Sequence, residues 1–126
     1  MDKPYALPKS ERLSSLTAVR RLFTDGASGF VYPFRYMVIA EQSTTPSVEV
    51  LFSVPKRYHK RANKRNLLRR RTKEAYRLNK STLTSLAADK GYGVDVALVY
   101  SSKEILPYKT IEYAICKILK EVCQQH

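Results

Sequence analysis

Ala62-Asn63-Lys64-Arg65-Asn66-Leu67-Leu68-Arg69-Arg70-Arg71-Thr72-Lys73-Glu74-Ala75-Tyr76-Arg77-Leu78-Asn79 contains neither Gly nor Pro, and Leu, Arg, Lys, Glu and Ala dominate it. That is the composition of a helix. At about 100° per residue, Ala62, Arg65, Asn66, Arg69, Arg70, Lys73 and Arg77 share one broad face, with Leu67, Leu68, Ala75 and Leu78 opposite. The segment is predicted to dock on a sheet through its Leu/Ala side and to display guanidinium groups outward. Arg71 interrupts the apolar side and is expected to reach its edge, carrying the charged head to solvent on an aliphatic stem.

Strands flank this helix. Val48, Val50, Phe52 and Val54 alternate with Glu49, Leu51 and Ser53, which predicts a strand over Val48–Val54. Phe34, Tyr36, Val38 and Ala40 alternate in the same way, predicting a strand over Phe34–Glu41; the linker Gln42–Ser47, with Pro46, has the look of a hairpin loop. Val94–Tyr100, after Gly91-Tyr92-Gly93, is apolar at nearly every position and is expected to be a central strand covered on both faces. At the ends, Leu16, Val19, Leu22 and Phe23 recur at helical spacing within Ser15–Thr24, capped by Ser14 or Ser15 and stopped at Asp25-Gly26. Ile111, Ala114, Ile115, Ile118, Leu119 and Val122 repeat as the buried stripe of a C-terminal amphipathic helix. Residues 1–13 are expected to be partly irregular. The reading is a single α+β domain over residues 1–126 in the order α-β-β-α-β-α, a small mixed sheet packed by helices.

Charge is concentrated on one of these elements. Lys56–Lys80 holds twelve Lys/Arg and one acid, Glu74, a net of +11 out of the chain's +12. A solvated face would mix signs, because like charges four residues apart on a helix repel. Here Arg61, Arg65, Arg69 and Lys73 form an unbroken basic row. Phosphates relieve such a row and release condensed counterions, so a nucleic acid is the expected partner. Asn66 adds an amide with both a donor and an acceptor among the cations.

Other classes fit less well. Two-metal hydrolysis needs clustered carboxylates, whereas Asp25, Glu41, Glu49, Asp89 and Asp95 are scattered and no His partners them; no catalytic side chain and no metal ligand set is assigned. The placement of the basic helix between strands matches no helix-turn-helix or zipper arrangement. Cys116 and Cys123 lie two turns apart on one helix, roughly 10 Å along its axis. That is too far for a disulfide within the helix, so both are expected to be reduced thiols. No apolar run approaches the ~20 residues that span a bilayer, and the N-terminus lacks the apolar core of a secretion signal. A cytoplasmic location without membrane attachment is the expectation. A structural or ribosomal RNA-binding protein without a nuclease role would share the charge pattern.

The run from Ala62 to Lys73 resembles the signature of the bacterial ribonuclease P protein subunit: an Ala, then Arg-Asn, then alternating apolar and basic residues along a helix. Phe52-Ser53-Val54-Pro55-Lys56-Arg57 is similar to the strand end that precedes this helix in the family, and Arg12-Leu13, Phe23 and Gly26 fit its N-terminal pattern. Leu67 stands where many members carry a further basic residue, and the loop Tyr58–Arg61 is more basic than the Gly-containing loop common among them. The resemblance implies a ribosomal-protein-like fold with a left-handed β-α-β crossover through the basic helix. It implies a protein subunit that binds the catalytic RNA of ribonuclease P and the 5′ leader of precursor tRNA, assisting endonucleolytic removal of the leader. Catalysis would belong to the RNA and its Mg2+; the protein alone would bind no cofactor and require no protein partner. By the same resemblance Arg61, Arg65, Asn66, Arg69, Arg70, Lys73 and Arg77 would contact RNA. A cleft between the N-terminal helix and one sheet face would grip the leader through Arg20, Phe23, Phe34, Tyr36, Lys56 and Arg57. Phe23, Phe34 and Tyr36 also lie on apolar faces, so core packing is the competing reading for each.

Overall fold

The computed structural model describes residues 15–126; the expectations for residues 1–13, Ser14 and Arg12-Leu13 lie outside them. Helix α1 spans Leu16–Asp25. Ser15 caps it, its Oγ accepting from the Ala18 N–H at 3.4 Å, and the Gly26 N–H closes it on the Leu22 carbonyl at 3.0 Å. Four strands follow in two groups: β1 (Ala27–Val31), β2 (Phe34–Gln42) and β3 (Ser47–Ser53), then β4 (Tyr92–Tyr100). Between β3 and β4 lie α2 (Ala62–Asn79) and α3 (Ser81–Lys90), and α4 (Tyr108–Gln125) closes the chain.

The sheet order is β1-β2-β4-β3, with β1–β2 and β2–β4 antiparallel and β3–β4 parallel. The mixed sheet and the helical connection through the basic segment are as expected. The hairpin over Gln42–Ser47 is not: β2 and β3 never pair, because β4 lies between them. Burying both faces of a strand from Val94 to Tyr100 favours the centre of the sheet, where both of its edges also find partners. Two elements are additions to the sequence reading. β1 contains Gly29 opposite Tyr36, and a Cβ there would lie 2.4 Å from the Tyr36 ring, so the strand gives up a side chain to make room. α3 follows α2 across Lys80 and ends at Gly91, whose φ of 67° is the left-handed conformation a helix stop favours.

Strand alternation divides the interior. Phe34, Tyr36, Val38, Val50, Phe52, Val96, Leu98 and Tyr100 form the main core with α2, α3 and α4. Leu22 packs on the other face against Met37, Ala97 and Val99, with Ala18, Val19, Ile39 and Leu51 around them. Thus, among the described residues, α1 covers one side of the sheet, while α2, α3 and α4 cover the other. No described helix is long and apolar enough to cross a membrane.

Candidate nucleic-acid interface

The inward arc of α2 is Leu68, Thr72, Ala75 and Tyr76, all buried. This is a rotation from the expected Leu/Ala side: Leu67 is half-buried and Leu78 is exposed. The rotation follows from the two residues it buries. The Thr72 hydroxyl donates to the Leu68 carbonyl at 2.8 Å, so it needs no water, and the Tyr76 ring meets Phe52 edge-on at 5.7 Å. Arg71 reaches the edge as expected and finds a partner there: its Nη1 donates to the Leu106 carbonyl at 2.6 Å, tying α2 to the segment before α4.

The rotation sorts the cations. Asn66 and Arg70 are exposed on the outward arc, and Arg61 is exposed just before the helix. Arg69 is half-buried and its Nη1 donates to Asn66 Oδ1 at 3.3 Å, which leaves the Asn66 amide N–H groups uncommitted to that bond. The Lys73 ammonium lies 6.0 Å from the Phe52 ring centre, at the margin facing β3. Arg77 is bridged to Glu74 at 2.5 Å. Arg65 departs from the shared face. It is half-buried, and Nη1 donates back to the carbonyls of His59 (3.0 Å) and Lys60 (2.7 Å). His59 is itself buried, its Nε2 2.7 Å from the Ser102 carbonyl. The loop before α2 is therefore pinned at two points.

The second predicted group is divided by the sheet. Arg20 and Phe23 are exposed on α1, Phe23 by 48%. Lys56 and Arg57 are exposed in the turn after β3, the Arg57 guanidinium 4.9 Å above the Tyr58 ring. Phe34 and Tyr36 belong elsewhere: both are buried in the main core, on the face turned away from α1. The Tyr36 hydroxyl donates to Glu121 Oε1 of α4 at 3.4 Å, and burial, reinforced by that carboxylate, pushes its pKa up. Their assignment to a cleft under α1 is corrected to core packing, because residues of even number in β2 share the α2–α4 face.

The same alternation puts two overlooked residues on the α1 side. Phe30 pairs with Arg35, Arg35 with Val99, and Val99 with Ser53, one row crossing all four strands at the end from which Lys56 and Arg57 continue. Phe30 and Arg35 are both exposed. The signal for Arg35 was its position between Phe34 and Tyr36; Phe30 had none, lying in a strand without a pattern. Two rows further along the same face the chemistry reverses. Glu49 and Asp95 are cross-strand neighbours, and burial raises the pKa of both. Arg21 is ion-paired with Glu41 and sits near Asp95. Arg21 is thereby committed to acids, whereas Arg20 is not among the ion pairs of the described residues. Those residues also bring together no group of three His, Cys, Asp or Glu that could hold a metal ion.

The arrangement offers outward cations on one side of the sheet, and cations with exposed phenyl rings on the other. Comparison with known proteins follows the same lines. The family described as Ribonuclease P matches residues 7–123. A ribonuclease P protein component of Porphyromonas gingivalis is 35% identical over 117 residues, covering 91% of this chain and 85% of the relative. One from Chlorobaculum tepidum is 40% identical over 108 residues, covering 78% and 69%. The Staphylococcus aureus RNase P protein superposes with a TM-score of 0.72 at 17% identity, over 90% of this chain and 96% of the other. The Thermotoga maritima RNase P protein does so with 0.69 at 21% identity, over 88% and 96%.

Proposed function

The chain belongs to the ribonuclease P protein family, and from that membership we propose that it binds the catalytic RNA through α2 and the 5′ leader of precursor tRNA on the α1 side of the sheet. The observation that carries this reading is the docked basic helix: its neutral side is buried in the core while Arg61, Asn66 and Arg70 stand exposed beside Arg69 and Lys73. Phosphate contacts from such a face give affinity and register without requiring any chemistry of the protein.

For the leader, Phe23 and Phe30 are the exposed rings, and Arg20, Arg35, Lys56 and Arg57 the cations around them. Stacking tolerates any base, and cations track the backbone, so this combination suits a single strand of varied sequence. Mg2+ enters as an ion of the RNA. Arg and Lys cannot ligate a hard cation that requires oxygen, so the α2 face fits the neutralisation of RNA phosphates and not the direct holding of metal. In this reading the protein lowers electrostatic repulsion between two RNAs and positions the leader.

Reconstitution with a bacterial ribonuclease P RNA tests the proposal. The protein is expected to stimulate leader cleavage at low Mg2+; binding without stimulation would assign it a structural role instead. Phe23→Ala is expected to raise the dissociation constant for precursor tRNA about tenfold, the worth of one stacked base, and to leave that for mature tRNA unchanged. Equal losses for both would place Phe23 outside the leader site.

A further inference from the structure

Helix α4 carries a second basic face that the RNA-binding reading of α2 does not use. Lys109, Tyr113, Cys116, Lys117 and Lys120 fall within roughly 100° of arc, opposite the buried stripe of Ile111, Ala114, Ile115, Ile118, Leu119 and Val122. Lys109, Lys117 and Lys120 are exposed, and Tyr113 is 71% exposed, the highest value among the large apolar side chains described. Tyr113, Cys116, Lys117 and Lys120 line an open recess of about 300 Å³.

The acids of this helix do not offset the lysines. Glu112 flanks the stripe on one side, where Oε2 accepts from the Tyr108 hydroxyl at 3.1 Å and from the Asn79 amide at 3.3 Å. Glu121 flanks it on the other and accepts from Tyr36. Both carboxylates are half-buried and turned toward neighbouring elements, so the outward arc presents cations around one ring.

We propose that the Lys109–Tyr113–Lys117–Lys120 face of α4 is a second docking surface for the catalytic RNA, stacking one unpaired base on Tyr113 and holding the adjoining phosphates with the lysines. The proposal rests on the reading of the chain as an RNA-binding subunit. Charge selects the partner. A second copy of a chain with a net charge of +12 would be repelled. A protein interface core disfavours lysine. A membrane surface would need an apolar outward face, and the apolar face of α4 is buried in the core. An exposed ring among lysines matches a single-stranded segment. Location selects the source: α4 packs beside α2, on the side of the sheet away from α1, so an RNA seated on α2 lies nearest.

The test uses the full chain and a bacterial ribonuclease P RNA, with the dissociation constant measured across a salt series. The Lys117→Ala/Lys120→Ala variant is expected to lower the log–log salt slope by about 1 to 2, one unit or slightly less per lost phosphate. Tyr113→Ala is expected to weaken binding about tenfold with the slope unchanged, and Tyr113→Phe to restore it. All three side chains are exposed, so unchanged thermal melting serves as the folding control. Unaltered slope and affinity would overturn the proposal, as would a loss confined to precursor tRNA. Failure of the unsubstituted protein to stimulate cleavage would instead overturn the underlying functional reading, which separates the two.

Discussion

Arg65 and Arg70 lie five residues apart on α2 and meet different surroundings. Arg65 is folded back onto the carbonyls of His59 and Lys60, whereas Arg70 is exposed on the outward arc. Two charge-assisted hydrogen bonds from a half-buried group imply that Arg65→Ala destabilises the fold by about 1–2 kcal/mol. Arg70→Ala should stay within roughly 0.5 kcal/mol of the parent, as surface changes do. In RNA binding the order reverses: Arg70→Ala lowers the salt slope by about 1, and Arg65→Ala by less. Urea denaturation and salt-dependent binding of the two variants check both halves. Residue type and helical spacing could not separate these arginines, since at that level both belong to one basic face. What separates them is the path of the loop before α2. Tyr36 shows the same limit from the other direction. Its strand was legible and its strand face was legible, but which face α1 covers is decided by connections that periodicity does not encode.

At the scale of elements, α2, α4 and the three patterned strands were legible because each carries its own period. β1 was not, since Ala27-Ser28-Gly29 has no apolar alternation and the strand is recruited by pairing with β2. α3 was not, since Ser81-Thr82-Leu83-Thr84-Ser85 favours caps and turns over helix interiors; Leu83 and Ala87 hold it to the core instead. Pairing also creates a contact no single strand announces, the neighbours Glu49 and Asp95 on β3 and β4. Burial, the first cause for each, raises both pKa values; the Asp95 charge raises Glu49 further, while Arg21 opposes the shift at Asp95. A carboxyl whose folded pKa exceeds its unfolded value binds more protons when folded, so stability falls as pH rises between the two values. The pair thus weakens the fold at neutral pH and ceases to do so once protonated. Asp95→Asn is expected to raise the melting temperature at pH 7 and to reduce its dependence on pH above 4. A melting temperature lowered at pH 7 would show that the Arg21 attraction dominates.

Across the whole molecule, charge and neutrality occupy separate territories. Most of the +11 of Lys56–Lys80 is held on a surface whose members repel one another, and Glu74 is the acid that this stretch itself supplies, bridged to Arg77. Any multivalent anion that binds the folded face is therefore linked to folding. Sulfate at matched ionic strength is expected to raise the melting temperature above that in chloride by roughly 3–6 °C. An Arg61/Arg69/Arg70→Gln variant should lose most of that increment, retaining only what sulfate gives any protein by exclusion from its surface. An equal increment in both would show that the face is not an anion site.

The central position of β4 has a consequence in time. β2 and β3 are joined only through it, yet it is made after both of them and after the basic helix. Without β4, β3 has no strand to pair with among the described residues, and α2 lacks the closed core that orients its cations. The segment most attractive to polyanions thus precedes, on the growing chain, the strand that gives it a shape. The core that orients α2 is complete only once β4 and then α4 have been added to it.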